Sequence, residues 1–193
     1  MVKISKAAKV LISTTVLGGI FLTVSNSTSA VPTFLKQSGT VVESYISIMT
    51  TSQTFEWGGG GGRPFYMDIP SDAVRIDRII MYGGSRLDSI KFVYLRQDGS
   101  KFTQEVGGGG GSRTCDITFS SGEYIASIQA NTGAEVDKLI INTNKGQVCE
   151  AGGSGGGRRY YTAQPGEYIW GLFGREGELI DSVGALYNNQ PPR

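Results

Sequence analysis

The chain has 193 residues, with 18 basic and 17 acidic side chains and no histidine. A nucleic-acid surface needs a clustered excess of Lys and Arg, which is absent here, and we interpret the isolated pair Arg158-Arg159 as solvated arginines on a strand edge. Without histidine, Ser-His-Asp and Cys-His catalysis and the commonest zinc ligand are excluded.

Residues 1–30 have the pattern of a secretion signal. Three lysines up to Lys9 precede an apolar run over residues 10–24, and residues 28–30 provide a small-residue cleavage site. The run is shorter than the roughly 20 residues of a bilayer span, although an uncleaved anchor is the alternative. We expect cleavage after Ala30, which leaves 15 basic and 17 acidic groups. The secreted chain would then have no membrane span and would be extracellular, or periplasmic in a bacterium.

Residues 31–52 precede the more regular part of the chain. They contain enough apolar residues for one strand, either an added sheet edge or a tether, and we assign them no function. Residues 53–188 are expected to form one domain. Residues 189–193, which include Pro191 and Pro192, are expected to form a frayed tail.

The most informative feature is a pattern that occurs three times. A glycine-packed loop is followed about 25 residues later by a Gly-x-x-x-Asp pentapeptide and then by an alternating apolar strand. The loops are 58–62, 107–111 and 152–157, and the pentapeptides are 84–88, 133–137 and 177–181. A repeat of this length indicates one supersecondary unit used three times around a common core.

The segments after the aspartates read as β-strands. Apolar residues alternate there with a period of two, which is typical of a strand with one face in the core. These residues are Ile90, Phe92 and Tyr94, then Leu139 and Ile141, then Val183, Ala185 and Tyr187. No helical period is sustained, so the sequence predicts an all-β fold of three small sheets around a pseudo-threefold axis. Each sheet alone would be too small to be stable.

The two cysteines, Cys115 and Cys149, flank the second repeat. Because disulfides persist in secreted proteins, we expect these residues to form one, with two buried thiols as the alternative.

Several segments together resemble the jacalin-related lectins. They are Trp57 to Phe65, Gly122 to Ile125, Thr143 to Gly146, the 152–156 loop, and Phe173 to Arg175 leading into pentapeptide 177–181. A loop and a pentapeptide in every repeat are similar to the griffithsin-like members with three mannose-binding sites. The resemblance implies a β-prism I fold of three four-stranded Greek-key sheets. It also implies glycans or glycoproteins of a cell surface as partners, no metal or other cofactor, and the option of a homodimer.

The resemblance further implies which loop faces which pentapeptide. Site one joins 84–88 with loop 107–111, site two joins 133–137 with loop 152–157, and site three joins 177–181 with loop 58–62. The candidate carbohydrate-binding residues are Gly84, Ser85, Arg86, Asp88, Gly108 and Gly109 at site one; Gly133, Ala134, Glu135, Asp137, Gly153 and Gly155 at site two; and Gly177, Glu178, Leu179, Asp181, Gly59 and Gly60 at site three.

The chemistry of a hexose is consistent with these residue types. A carboxylate accepts hydrogen bonds from two neighbouring hydroxyls, consecutive main-chain N–H groups donate to sugar oxygens, and glycine lets the facing main chain approach closely. Galactose-binding relatives have a cut that frees a glycine N-terminus at the first loop. Here 27 residues of the mature chain precede Gly58, which favours mannose or glucose. Site three matches the family best, whereas at site two Glu135 adds an acid that either repels Asp137 or points to solvent.

Two other classes of function compete with a lectin. A glycosidase needs a pair of carboxylates across a cleft, but the three aspartates occupy equivalent repeats, so we expect no enzyme. A β-prism that binds proteins and has lost sugar recognition is the stronger alternative, because each pentapeptide by itself is also a common tight turn and none carries an aromatic residue.

Overall fold

A computed structural model describes residues 31–37, 40–46 and 51–193, with side chains from residue 51 onward. Residues 1–30, including the predicted secretion signal and its cleavage site, lie outside the described residues. The chain divides into two compact units between Thr50 and Thr51. In the first unit, β1 (Val31–Gln37) and β2 (Thr40–Ile46) form an antiparallel hairpin with Val31 opposite Ile46, where the sequence predicted a single strand.

The second unit consists of thirteen strands that pair antiparallel. They are β3 (Ser52–Gln53), β4 (Trp57–Gly58), β5 (Arg63–Tyr66), β6 (Ala73–Gly83), β7 (Leu87–Arg96), β8 (Lys101–Gly107), β9 (Ser112–Thr118), β10 (Ile125–Thr132), β11 (Val136–Thr143), β12 (Val148–Gly152), β13 (Gly157–Thr162), β14 (Tyr168–Glu176) and β15 (Ile180–Asn188). Among all the described residues, no helix is long and apolar enough to cross a membrane.

The strands of the second unit form three four-stranded sheets. Sheet one has the order β8-β7-β6-β9, sheet two the order β12-β11-β10-β13, and sheet three the order β4-β15-β14-β5, with β3 also paired to β15. Sheets two and three meet at a single pair, Ile125 opposite Ile169. In sheets one and two, the glycine loop carries the chain from one edge strand to the other, from β8 to β9 and from β12 to β13, which gives each sheet the strand order of a Greek key. The predicted all-β prism is confirmed.

Sheet three differs from the others because it is assembled from both ends of the unit. Its central hairpin is β14-β15, while its edge strands β4 and β5 come from the start, with Trp57 opposite Val183 and Phe65 opposite Gly174. The first and last segments of the domain therefore depend on each other for their backbone hydrogen bonds.

The inner faces of the three sheets share one hydrophobic core. The predicted alternating residues lie in it. The side chains that are fully buried are Ile90, Phe92, Tyr94, Leu139, Ile141, Val183 and Ala185, and Tyr187 packs at the margin. Tyr94 donates its hydroxyl hydrogen to the carbonyl oxygen of Trp170 at 3.0 Å, so this buried phenol is satisfied. Burial raises the pKa of Tyr94, which keeps it in its neutral form.

The predicted disulfide is confirmed. It joins Cys115 on β9 to Cys149 on β12, with their Cα atoms 5.2 Å apart. Since β9 is an edge of sheet one and β12 an edge of sheet two, the bond links two sheets at their common boundary.

The C-terminal residues do not form the frayed tail that the sequence predicted. The indole N–H of Trp170 donates to the carbonyl oxygen of Gln190 at 2.9 Å, and the Arg193 N–H donates to that of Val74 at 2.9 Å. A nearly buried indole N–H requires an acceptor, and the tail supplies it. The last residues are thus held against the domain.

The buried carboxylate of Glu123 joins the turn before β10 to the turn between β11 and β12. Glu123 is 2% exposed and accepts hydrogen bonds from the Thr143 hydroxyl at 2.6 Å, the Gln147 amide at 2.7 Å and the Ser120 N–H at 3.0 Å. Burial by itself would raise the pKa of Glu123, but these hydrogen bonds to the charged form prevail and hold it at about 2.

Candidate functional site

Each pentapeptide begins as the turn of a central hairpin. Residues 84–86 connect β6 to β7, residues 133–135 connect β10 to β11, and residues 177–179 connect β14 to β15. The closing aspartates, Asp88, Asp137 and Asp181, lie near the start of the second strand and are half-buried. In each turn the N–H of the first glycine donates to the carbonyl oxygen of the third residue, at 3.0, 2.9 and 2.8 Å. The three turns therefore share the same closing hydrogen bond.

Each glycine loop crosses the end of its sheet and reaches the pentapeptide of that sheet. Loop 107–111 lies against 84–88, loop 152–156 against 133–137, and loop 58–62 against 177–181, with Gly157 already the first residue of β13. The second glycine of each loop donates its N–H to the carbonyl oxygen of the aspartate. These bonds are Gly108 to Asp88 at 3.1 Å, Gly153 to Asp137 at 2.7 Å and Gly59 to Asp181 at 3.0 Å. The structure thus brings together the pairs named in the sequence analysis.

The aspartate side chains explain why the end of each loop is glycine. A Cβ built on Gly155 or Gly156 would lie 2.5 or 2.6 Å from a carboxylate oxygen of Asp137, and the two other sites have the same arrangement. Any side chain there would displace the carboxylate. The fifth residues, Gly62, Gly111 and Gly156, also have φ of 57°, 68° and 74°, which favours glycine.

The middle position of each loop is the exception. A Cβ on Gly60 or Gly109 would meet nothing within 4 Å. The equivalent residue in the third loop is Ser154, whose side chain is exposed. The one non-glycine residue among the three five-residue loops therefore stands where a side chain has room.

The three sites form a continuous ring at one end of the domain. Besides contacting its own pentapeptide, the second glycine of each loop packs on the main chain of a neighbouring one, so closely that a Cβ would overlap with a carbonyl oxygen. The contacts are Gly59 on Ala134, Gly108 on Glu178 and Gly153 on Ser85. Every loop is therefore held between two pentapeptides, and no site is structurally isolated.

Glu135 is not directed freely into solvent, which was one of the two alternatives drawn from the sequence. It forms an ion pair with Arg86, the third residue of pentapeptide 84–88. The side chains are 27% and 50% exposed, respectively. The acid at site two is thus balanced by a cation from site one.

Two residues that support site three were not assigned a role from the sequence. Arg175 donates from Nε to the Gly61 carbonyl oxygen at 2.6 Å and from Nη2 to that of Gly62 at 2.7 Å. Glu176 is 7% exposed and accepts hydrogen bonds from Arg63 Nε at 3.0 Å and from the Gly107 N–H. The sequence did contain a signal for this support, the charged dipeptide Arg175-Glu176 directly before Gly177. The equivalent dipeptides of the other repeats, at 82–83 and 131–132, are uncharged.

The site residues offer main-chain N–H groups, carboxylates and close main-chain approach, and no metal-binding set. Within the described part of the chain, no group of three or more His, Cys, Asp or Glu side chains is placed to hold a metal ion. At each loop the arrangement can accept hydrogen bonds from a small polyhydroxylated ligand and can donate hydrogen bonds to it.

The pair Arg158-Arg159, which the sequence analysis interpreted as solvated arginines, lies exposed on edge strand β13, away from the core.

Comparisons with known proteins agree with this architecture. Residues 55–186 match the family model described as the jacalin-like lectin domain. Griffithsin from Griffithsia sp. is 32% identical over 133 residues, covering 68% of this chain and 93% of the relative. The structure of a Malaysian banana lectin superposes with a TM-score of 0.64 at 30% identity, covering 74% and 99% of the two chains.

A third similar protein is described as a mannose-binding jacalin-related lectin from Ananas comosus. Its structure has a TM-score of 0.58 and 26% identity, covering 74% of this chain and 99% of its own. The relatives are lectins, which bind carbohydrates and are not enzymes. The chain belongs to the jacalin-like family of carbohydrate-binding lectins.

Proposed function

We propose that this protein is a secreted lectin for mannose- or glucose-type glycans, and that each of its three sites accepts one terminal hexose. The observation that carries the proposal is the threefold repetition of one geometry, in which a half-buried carboxylate lies between a hairpin turn and a glycine loop. A plain tight turn would not require a glycine loop against the carboxylate of every repeat. Asp88, Asp137 and Asp181 would each accept from two hydroxyls of the ring.

The donors of each site would come from the main chain of the turn. They are the N–H groups of Ser85 and Arg86, of Ala134 and Glu135, and of Glu178 and Leu179. Because the glycine loops leave no side chain over the carboxylate, the ring can approach the main chain closely. The Ananas comosus lectin named above is described as mannose-binding. In this chain the first glycine loop begins at the end of β4, so cleavage after Ala30 would not place a new N-terminus at that loop. Both points favour mannose or glucose.

The three sites would act together. Shallow sites of this kind bind with millimolar to high micromolar constants, about 4–6 kcal/mol each. Three of them in one rigid ring can increase the avidity for a branched glycan by about 10²–10⁴-fold where their spacing matches. The biological partner would be a glycoprotein or glycan on a cell surface. Site three is the best supported, since Arg175 and Glu176 anchor the loops beside it.

Export of the chain is the second part of the proposal. The pattern of residues 1–30 and the disulfide, which persists in an oxidising compartment, both support it. The mature protein would begin at Val31, with residues 31–52 as an extension, residues 53–188 as the lectin domain and residues 189–193 as the C-terminal tail. N-terminal sequencing of the exported protein tests the cleavage site, and light scattering tests whether the protein is a homodimer.

The function is tested by probing residues 31–193 on a glycan array beside the triple variant Asp88→Ala, Asp137→Ala, Asp181→Ala. A matched control removes three exposed acids outside the sites, Asp98→Ala, Glu105→Ala and Glu150→Ala, and so makes the same change in net charge. We expect mannose- or glucose-terminated glycans to bind the natural chain and the control but not the site variant. Absence of glycan binding by the folded natural chain would instead favour the alternative, a β-prism that recognises proteins.

A further inference from the structure

The ion pair between Arg86 and Glu135 connects two different sites. Arg86 is the third residue of the site-one pentapeptide, and Glu135 is the third residue of the site-two pentapeptide. Under the proposed function, the main-chain N–H groups of both residues donate to sugar oxygens. The pair therefore joins the two turns at the residues that would contact the ligands.

The loop of site two lies between the same two pentapeptides. Gly153 packs on the main chain of Ser85, the residue before Arg86, and donates its N–H to the Asp137 carbonyl oxygen at 2.7 Å. Loop 152–156 is thus in contact with both pentapeptides, and the ion pair holds these two together across it. A shift of either turn would also move the loop.

The other two boundaries of the ring differ in charge. Gly108 packs on Glu178 between sites one and three, and Gly59 packs on Ala134 between sites three and two. The third residue of the site-three pentapeptide is Leu179, which offers no charge to either neighbour. Among the described residues, no salt bridge involves Glu178. Only the boundary between sites one and two combines a shared loop with a charge pair in the part of the chain that is described.

We infer that Arg86 and Glu135 are positioning residues that couple site one to site two, with a smaller effect on site three, whose loop contacts the site-two turn at Ala134. The inference rests on the proposed function and deepens it. Arg86 would hold the site-two turn and loop from outside that site, although it belongs to the site-one pentapeptide. Loss of the pair should therefore weaken sugar binding at site two without removing any group of its own pentapeptide.

The test uses two backgrounds of residues 31–193 that each retain one site. Asp88→Ala with Asp181→Ala retains site two, and Asp88→Ala with Asp137→Ala retains site three. The dissociation constant for methyl α-mannoside is measured by NMR titration in each background, with and without Arg86→Ala. Because the ion pair is partly exposed, we expect binding at site two to weaken about two- to fivefold, and binding at site three to weaken by less than about twofold.

Two further variants separate a specific pairing from a general effect of charge. The exchange Arg86→Glu with Glu135→Arg re-forms the pair in the opposite sense and should restore most of the affinity at site two. Arg159→Ala removes an exposed cation outside the sites, which forms no salt bridge among the described residues, and should leave site two unchanged. Thermal unfolding of every variant shows whether a loss of binding reflects a loss of fold.

The outcomes distinguish this inference from the proposed function. If the natural chain and both backgrounds bind the sugar but Arg86→Ala does not weaken site two, the coupling is overturned and the lectin function stands. If the site-two background does not bind the sugar while the site-three background does, the coupling is also overturned. If the folded natural chain does not bind, the proposed function itself fails.

Discussion

Loop 58–62 allows a sharp test of the site geometry with two adjacent substitutions. At Gly60 a new Cβ meets nothing within 4 Å, whereas at Gly61 it would overlap with Oδ1 of Asp181 and lie 3.0 Å from Cγ. Ordinary contacts begin near 3.4 Å, so Gly61→Ala requires the Asp181 carboxylate to move by about 1 Å. Gly60→Ser requires no movement, and the chain already carries the equivalent residue as Ser154.

The expected magnitudes follow from the contacts. Gly60→Ser should change the free energy of unfolding by less than about 0.5 kcal/mol, as is usual for an exposed position without special contacts. Gly61→Ala should destabilise the domain by about 1–3 kcal/mol, the range for a side chain forced into a packed position. A hydrogen bond to a charged group contributes about 1.5–3 kcal/mol, so displacing the carboxylate should weaken sugar binding at site three by at least about tenfold.

The assay combines urea unfolding with NMR titration of methyl α-mannoside in the background Asp88→Ala, Asp137→Ala, which leaves site three alone. The matching pair at site one, Gly109→Ser and Gly110→Ala, should behave in the same way in its own single-site background. Equal affinities of Gly60→Ser and Gly61→Ala would refute the reasoning, because the carboxylate would then not be the group that binds sugar.

Three further predictions concern stability and the support of site three. Replacing Cys115 and Cys149 by serine opens a loop of 34 residues and should lower the free energy of unfolding by about 4 kcal/mol in urea, with sugar binding retained at 25 °C. For Glu123 the folded-state pKa of about 2 lies below the ordinary 4.5, so its stabilisation is complete above pH 4.5 and lost as the pH falls towards 2. This amounts to about 3 kcal/mol, and Glu123→Gln should flatten that part of the pH profile of urea unfolding. Arg175→Ala removes two hydrogen bonds to carbonyl oxygens of loop 58–62 and should weaken site three about two- to tenfold in the NMR titration.

Each of these predictions has an outcome that contradicts it. An unchanged unfolding midpoint of the serine variant under oxidising conditions would mean that the disulfide does not constrain the unfolded chain. A Gln variant that still loses about 3 kcal/mol between pH 4.5 and 2 would assign the acid sensitivity to other carboxylates. A loss of affinity at site one equal to that at site three in the Arg175 variant would indicate a general change of fold rather than a local support.

Sequence reasoning was most successful where the signal is local. The alternation of Ile90, Phe92 and Tyr94 predicts a strand because neighbouring side chains on a strand point to opposite faces, and all three are buried in the core. The spacing of the loops and pentapeptides predicts three equivalent units because each unit repeats the same hairpin and crossover. Cys115 and Cys149 could be paired because the chain has no other cysteine.

The pairing of loops with pentapeptides needed more than spacing. It came from the family resemblance, and the structure gives its physical basis, since each loop crosses the end of the sheet whose central hairpin carries the pentapeptide. Each sequence repeat, which runs from a glycine loop to the next pentapeptide and strand, therefore contributes to two sheets. For sheet three this arrangement brings β4 and β5 from the start of the domain to β14 and β15 at its end.

By itself the sequence determined the strands, the threefold repeat, the disulfide and the residue types of the sites, because these depend on periodicity, count and composition. Only the tertiary structure decided that Arg86 pairs with Glu135, that Arg175 supports a loop more than 110 residues away in the chain, and that the tail at Gln190 satisfies a buried indole. Side chains of this kind are exposed or polar and carry no periodic signal. Their partners are set by how three sheets close around one core.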